Sequence, residues 1–251
     1  MRMFTLENRV LITGASSGIG KAVALLCNQM GASVIASGRD MIRLQNLKTT
    51  CAYRDFLHIE PRDLLEDIDT LPQWVAGLNQ KYGKLTGLVC CAGFASIMPL
   101  RVYTRSSAVR LYDIHVHAPL LLARGFADKR NNIGQGSSIV FLSSAAALAK
   151  EAGLSAYGGA KAAIQAAVIS LSRELAPQGI RINAVAPAMV RTPMNDQYFS
   201  MLSPEARDQA LAAYPLGIGS PEDVAETIVF LLSESSKWIT GQTVVMDGGR
   251  Y

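Results

Sequence analysis

Seven short runs dominated by apolar residues recur along the chain, and they limit its fold more than any other feature. They are Val10 to Thr13, Ser33 to Ser37, Phe56 to Glu60, Gly87 to Cys91, Ser138 to Ser143, Arg181 to Ala186 and Thr243 to Met246. Runs of strand length that do not alternate with polar residues are covered on both faces, as in parallel sheets. The longer segments between them carry helical spacing: Ile19, Val23, Leu26 and Met30 form one apolar face, which Gly31 ends. The expected fold is α/β, a doubly wound parallel sheet of about seven strands with helices on both faces. Ser220, Pro221, Glu222 and Asp223 mark the start of a late helix.

Without internal repeat, low-complexity tract or linker, residues 1–251 are expected to form one domain. The segment 191–214 follows the sixth run and holds Pro193 and Pro204. It reads as a substrate lid, with a plain surface helix pair as the alternative.

Composition excludes several classes. With 49% hydrophobic and 18% charged residues the chain has the apolar surface to fold. Its net charge of +4 is dispersed, which argues against a nucleic-acid partner. No signal-like leader and no membrane-length apolar run is present, so a cytoplasmic location without membrane attachment is expected. Cys27, Cys51, Cys90 and Cys91 lack zinc-site spacing and are too few for a disulfide scaffold. They read as buried thiols, and no metal is expected.

The first run leads through T-G-A-S-S-G-I-G, Thr13 to Gly20, directly into a helix. Glycines at a strand-to-helix turn allow a tight bend and close backbone approach, and the helix N-terminus attracts a pyrophosphate. Gly14, Ser16, Ser17, Gly18, Ile19 and Gly20 are therefore candidate dinucleotide contacts in a Rossmann-like fold. At the end of the second run, where an acidic residue would select NAD, stands Gly38, followed by Arg39. A guanidinium suits a 2′-phosphate, so NADP(H) is expected as preferred cofactor and NAD(H) as the possible second. Asp40 swinging inward, or Arg39 stacking on adenine, would weaken that preference.

The turn T-G-x-x-x-G-x-G, the pair Tyr157 and Lys161 four residues apart, Ser144 thirteen residues before Tyr157, R-I-N-A-V-A-P-A-M-V-R-T-P-M and W-I-T-G-Q-T-V-V-M-D-G-G occur together in this order. In this the chain resembles the short-chain dehydrogenase/reductase family over essentially its whole length. It is similar to the compact single-domain type of the 3-oxoacyl-[acyl-carrier-protein] reductases. The spacing itself puts Tyr157 and Lys161 on one helix face with β-carbons about 5–6 Å apart. An ammonium there is expected to lower the phenol's pKa and make Tyr157 a general acid or base.

The resemblance implies that Lys161 also holds the nicotinamide ribose and that Ser144 hydrogen-bonds the substrate oxygen. It places Asp63 and Leu64 at the adenine, with an N-cap for the next helix as the other reading of Asp63. It places Cys91, Ala92, Gly93, Pro187, Val190 and Thr192 along the cofactor. It also implies a homo-oligomer, tetramer or dimer, with the long helices and the last strand at interfaces.

Three departures stand out. Cys90, Cys91, Ala92, Gly93 replaces the family's Asn-Asn-Ala-Gly, and Ala188 replaces a glycine. In Ile114, His115, Val116, His117, Ala118 the histidine His115 replaces an asparagine that, in the resembling family, supports a water path from the lysine. Because imidazole exchanges protons near neutrality, His115 is expected to keep that relay, with simple packing as the alternative. His117 points elsewhere.

The expected function is hydride transfer between a nicotinamide cofactor and a small-molecule carbonyl/alcohol pair. Candidate substrates are 3-oxoacyl thioesters, sugars or polyols, and hydroxysteroids. Met194, Tyr198, Phe199, Met201 and Leu202 in the lid lean toward apolar ones. A dinucleotide-binding sensor or scaffold without chemistry is the other class. Retention of Ser144, Tyr157 and Lys161 together opposes it, since a binder needs no proton donor.

Overall fold

β1 (Arg9–Thr13), β2 (Ser33–Gly38), β3 (Leu57–Pro61), β4 (Gly87–Cys90), β5 (Ser137–Leu142), β6 (Ile180–Pro187) and β7 (Thr243–Met246) form one parallel sheet in the order β3-β2-β1-β4-β5-β6-β7. The computed structural model describes residues 4–5, 7–149, 151–199 and 203–251. Around the sheet lie α1 (Gly18–Gln29), α2 (Met41–Thr50), α3 (Leu71–Tyr82), α4 (Arg105–Tyr112), α5 (Ala118–Ala127), α6 (Ser155–Leu175), α7 (Pro193–Phe199), α8 (Pro204–Ala212) and α9 (Pro221–Leu232). The architecture is Rossmann-like, as the apolar runs require.

The reason is visible in the alternation within each strand. Val10 and Ile12 face one core cluster, with Val23 and Cys27 of α1, Leu44 and Leu47 of α2, and Ile228 of α9. Leu11 faces the other, with Val75 of α3, Phe126 of α5 and Ile164 of α6. Each such side chain contributes about 1.5–3 kcal/mol on burial, so a polar residue on either face would be penalised.

The strand ends differ slightly from expectation. β3 begins at Leu57 because Arg54–Phe56 forms a 3₁₀ turn, and Cys91 and Ser143 lie just beyond β4 and β5. α9 has a full capping box: the Ser220 hydroxyl accepts from the Asp223 N–H at 3.2 Å, and the Asp223 carboxylate accepts from the Ser220 N–H at 2.7 Å.

From β1 the chain builds outward to β2 and β3, then crosses back to β4 beside β1. Strand order thus reverses between β1 and β4, and a crevice opens there at the carboxyl ends, the ligand position in open α/β sheets. Segment 191–214 forms the helices α7 and α8, and α8 buries none of its residues. Of the apolar residues expected there, Met194 is 44% exposed. Met201 and Leu202, and the side chains of Tyr198 and Phe199, lie outside the described residues. Among the described residues no helix is long and apolar enough to cross a membrane, and no side-chain group could hold a metal ion.

Candidate active site

At the crevice, Gly14 and Gly18 adopt φ values of +69° and +52°, which side chains other than glycine rarely take. Space is equally restrictive, since a β-carbon at Gly14 would lie 2.7 Å from the Ala92 nitrogen and one at Gly20 2.3 Å from the Gly14 carbonyl oxygen. The glycine turn is thereby packed onto the segment after β4, where the Ala92 N–H donates to the Thr13 hydroxyl at 3.4 Å. Thr192 closes the other side, 3.3 Å from a β-carbon at Gly18. Ser17 starts α1 in extended conformation without a side-chain cap, so the first-turn N–H groups and the helix dipole face the crevice. These features fit a pyrophosphate.

The end of β2 lies against this turn, a β-carbon at Gly38 falling 3.1 Å from the Ser16 hydroxyl oxygen. Arg39 is 67% exposed along its side chain and pairs with Asp63 at 3.6 Å. Asp40 is turned toward α2: it accepts from the Arg43 N–H at 3.0 Å and meets the Arg43 guanidinium at 3.2 Å. Asp63 also accepts from the Leu65 N–H at 3.0 Å, while Leu64 is buried. Asp63 thus caps a turn rather than a helix, because α3 starts only at Leu71.

Tyr157 sits in the first turn of α6 and Lys161 one turn further on. Ser144, two residues beyond β5, lies beside the Tyr157 phenol. Its hydroxyl also accepts from the Ala146 N–H at 3.1 Å and reaches the Pro187 carbonyl at 3.4 Å. The structure brings the three residues together, but their charges are not as the spacing implied. The Lys161 ammonium is 5.7 Å from the Tyr157 ring centre and donates to the Leu142 carbonyl at 2.6 Å. Burial raises the Tyr157 pKa, opposed only by the nearby Ser144 hydroxyl, and burial lowers that of Lys161 to about 8. The expected lowering of the phenol by its lysine is therefore absent here, because the ammonium is directed at a backbone carbonyl.

His115 lies in a π-helical turn, Asp113–His117, between α4 and α5, the kind of bulge frequently found at functional sites. Its Nε2 is 2.8 Å from the Phe94 carbonyl oxygen, which can only accept, so Nε2 carries the proton. Nδ1 is then an acceptor, solvent-excluded and without a partner. The ring stands edge-on to Tyr157 at 5.3 Å and lies so close to Gly93 that a β-carbon there would be 2.3 Å from Cε1. Burial, then the nearby Lys161 charge, lower the His115 pKa to about 3. Proton exchange by titration near neutrality, expected from the residue type, is corrected: the ring is neutral and offers one fixed acceptor. His117 is exposed.

The remaining cofactor candidates border the same crevice. Cys91 is half-buried near Lys161, and burial pushes its thiol up to about 12. Pro187 ends β6 opposite Met246, while Val190 is buried and bridges Gly219. All four cysteines are free thiols, Cys27, Cys51 and Cys90 buried.

Sequence reasoning missed Gln165. Its side-chain nitrogen donates to the Ser143 hydroxyl at 2.9 Å and reaches the Ser144 carbonyl at 3.5 Å, while the Ser143 hydroxyl donates to the Lys161 carbonyl at 3.0 Å. Gln165 stands one helical turn after Lys161 on the same face, and that spacing is the signal that could have found it.

A sequence model described as Enoyl-(Acyl carrier protein) reductase matches residues 14–250. The chain belongs to the short-chain dehydrogenase/reductase family. It is 35% identical to the 3-oxoacyl-[acyl-carrier-protein] reductase of Thermotoga maritima, over 97% of this chain and 98% of that protein. Among solved structures, a short-chain dehydrogenase/reductase of Brucella melitensis described as a glucose/ribitol dehydrogenase superposes with a TM-score of 0.89 at 28% identity, covering 100% of this chain and 99% of the other. An NADPH-bound short chain oxidoreductase of Pseudomonas aeruginosa with an atypical catalytic center has a TM-score of 0.89 at 25% identity, over 98% of each chain. As a short-chain dehydrogenase/reductase the protein is an oxidoreductase that moves hydride between a nicotinamide cofactor and a carbonyl/alcohol pair.

Proposed function

We propose that this protein is an NADPH-dependent carbonyl reductase whose substrate is a 3-oxoacyl thioester. One observation carries the assignment of the chemistry: the Tyr157 phenol beside Ser144, with Lys161 one turn behind on the same helix and its ammonium 5.7 Å from the Tyr157 ring centre. Ser144 orients the carbonyl oxygen, and Tyr157 gives it the proton that completes the alcohol. Lys161 holds the nicotinamide ribose, and His115 stands where the resembling family's asparagine supports a water path from the lysine to solvent. When bound, the nicotinamide supplies the hydride.

Gly14, Ser16, Ser17, Gly18, Ile19 and Gly20 receive the pyrophosphate, Asp63 and Leu64 the adenine. Cys91, Ala92, Gly93, Pro187, Val190 and Thr192 border the nicotinamide half. The preference for NADP(H) over NAD(H) rests on the absence of a carboxylate at Gly38 and on Asp40 being engaged as a helix cap. It also rests on the exposed Arg39–Asp63 pair, which is weak enough for a phosphate to displace. The whole chain acts as one domain, with 191–214 as lid over the substrate. Trp238, 96% exposed, and Val245 on the edge strand β7, 40% exposed, favour a homo-oligomer, tetramer or dimer, and the location we assign to it is the cytoplasm.

The test is a panel of 3-oxoacyl thioesters, sugars, polyols and hydroxysteroids, followed at the nicotinamide absorbance with each cofactor. Tyr157→Phe is expected to bind cofactor normally and lose turnover; a retained rate refutes the proton-transfer role. Arg39→Ala is expected to weaken NADPH binding roughly ten- to a hundredfold and NADH binding far less.

A further inference from the structure

Beyond β7 the chain turns back over the carboxyl edge of the sheet, and its guanidinium at Arg250 meets two segments that flank the catalytic residues. The turn is ordered by Asp247, whose carboxylate accepts from the N–H groups of Gly249 at 3.0 Å and Tyr251 at 3.1 Å. The Gly248 carbonyl accepts from the Leu216 N–H at 3.1 Å, which lays this segment against the stretch after α8. Arg250 then donates through Nη1 to the Tyr214 hydroxyl and through Nη2 to the Glu151 carboxylate, each at 2.5 Å. Its guanidinium also lies 5.0 Å from the ring centre of Tyr214 and 5.2 Å from that of Tyr251, whose hydroxyl reaches Glu151 at 3.2 Å.

The partners come from distinct places. Glu151 belongs to the connection between Ser144 and Tyr157, and Tyr214 is a buried residue two positions beyond α8. The same connection is fastened on its other side, where the Met98 N–H donates to the Gly153 carbonyl at 2.7 Å. Ser144 and Lys161 are anchored separately, on Pro187, Ala146 and Leu142. A planar fork reaches these two partners through separate nitrogens held at a fixed spread, which the compact ammonium of a lysine does not offer. The Arg250 side chain is 23% exposed and that of Glu151 42%, so the arginine end of the contact is shielded while the carboxylate end meets solvent.

We propose that Arg250 is a positioning residue, clasping the Ser144–Tyr157 connection to the end of α8 so that the substrate-side wall of the site is set before substrate arrives. This rests on the carbonyl-reductase reading of the site. The separate anchoring of Ser144 and Lys161 means that loosening the clasp costs substrate binding rather than the chemical step.

The test uses Arg250→Met, Arg250→Lys and Glu151→Gln in the full chain, with the best substrate from the panel. Arg250→Met is expected to raise KM about tenfold. Its kcat should remain within about twofold and its cofactor dissociation constant unchanged, with Arg250→Lys intermediate. The double variant with Glu151→Gln should be no worse than Arg250→Met alone, as partners in one contact are not additive. Amide hydrogen exchange should quicken in 151–156 and 204–214 together and not in α1. An unchanged KM, or a fall in kcat and cofactor affinity together with KM, overturns the proposal. Exchange is read without substrate, so it tests the clasp even if Tyr157→Phe shows that the reading of the site itself is wrong; unaltered exchange in both segments refutes the clasp.

Discussion

A buried imidazole that stays neutral makes the fold sensitive to acid, and at His115 the size of that effect follows from the structure. The residue is 4% exposed, with its Nε2–H committed to the Phe94 carbonyl and Lys161 nearby. Its pKa is lowered from 6.5 to about 3. Between those values the unfolded chain binds a proton at this position that the folded chain does not. Stability therefore rises with pH through the window and is lost as pH falls below 6.5. At pH 4.5 the unfolded state is almost fully protonated at this position and the folded state is not, a loss of about 2.5 kcal/mol relative to neutral pH that is little more than half of the full effect reached near pH 3.

Asparagine does not titrate, though its shorter side chain stops short of the Phe94 carbonyl that Nε2 reaches. His115→Asn should therefore lose less stability over the same interval. For a chain of this size the difference corresponds to about 5–10 °C in the drop of melting temperature between pH 7 and 4.5. His58 and His117 are present in both proteins and cancel. Equal drops in the two proteins would mean that His115 accepts a proton within the fold. The fixed tautomer and the neutral acceptor would then both be wrong.

Two further outcomes follow from the same geometry. Gly93→Ala drives a β-carbon to 2.3 Å from the His115 ring, so it should cost about 1–3 kcal/mol of stability and most of the turnover, and His115→Ala should restore much of the stability; no rescue would show that the imidazole is not the obstacle. With its pKa raised, Tyr157 remains a protonated donor at neutral pH, so ketone reduction should run at pH 7 while alcohol oxidation rises steadily toward alkaline pH; an oxidation rate that is flat from pH 7 to 10 contradicts the assignment.

Much of this was legible in the residues. Strands buried on both faces announce themselves as unbroken apolar runs, which is why Val10 to Thr13 and Thr243 to Met246 could be placed to within a residue or so. Ser144, Tyr157 and Lys161 stood out through the resemblance to the family, and helix spacing by itself placed only Tyr157 and Lys161 on one face. Charge states were not recoverable. Nothing in Tyr157, Gly158, Gly159, Ala160, Lys161 shows that the ammonium turns to the Leu142 carbonyl, a partner supplied by a strand distant in sequence. Arg250 and Glu151 escaped notice for the same reason, being 99 residues apart.

Gly93 ties these observations together. Read as a small residue beside the cofactor, it has a second necessity, since the ring of His115 occupies the space a side chain would fill. An asparagine at position 115 would be shorter and would leave more room there, so the histidine makes this glycine more stringent. The ring also commits its N–H to the Phe94 carbonyl, one residue after Gly93, and so clamps the segment that carries Cys91 and Ala92 against the glycine turn. A single hydrogen bond from the turn between α4 and α5 thus holds the backbone of the segment after β4, whose Cys91 and Ala92 side chains carry no amide. The acceptor that remains, Nδ1, is buried without a partner in a ring that stands edge-on to Tyr157.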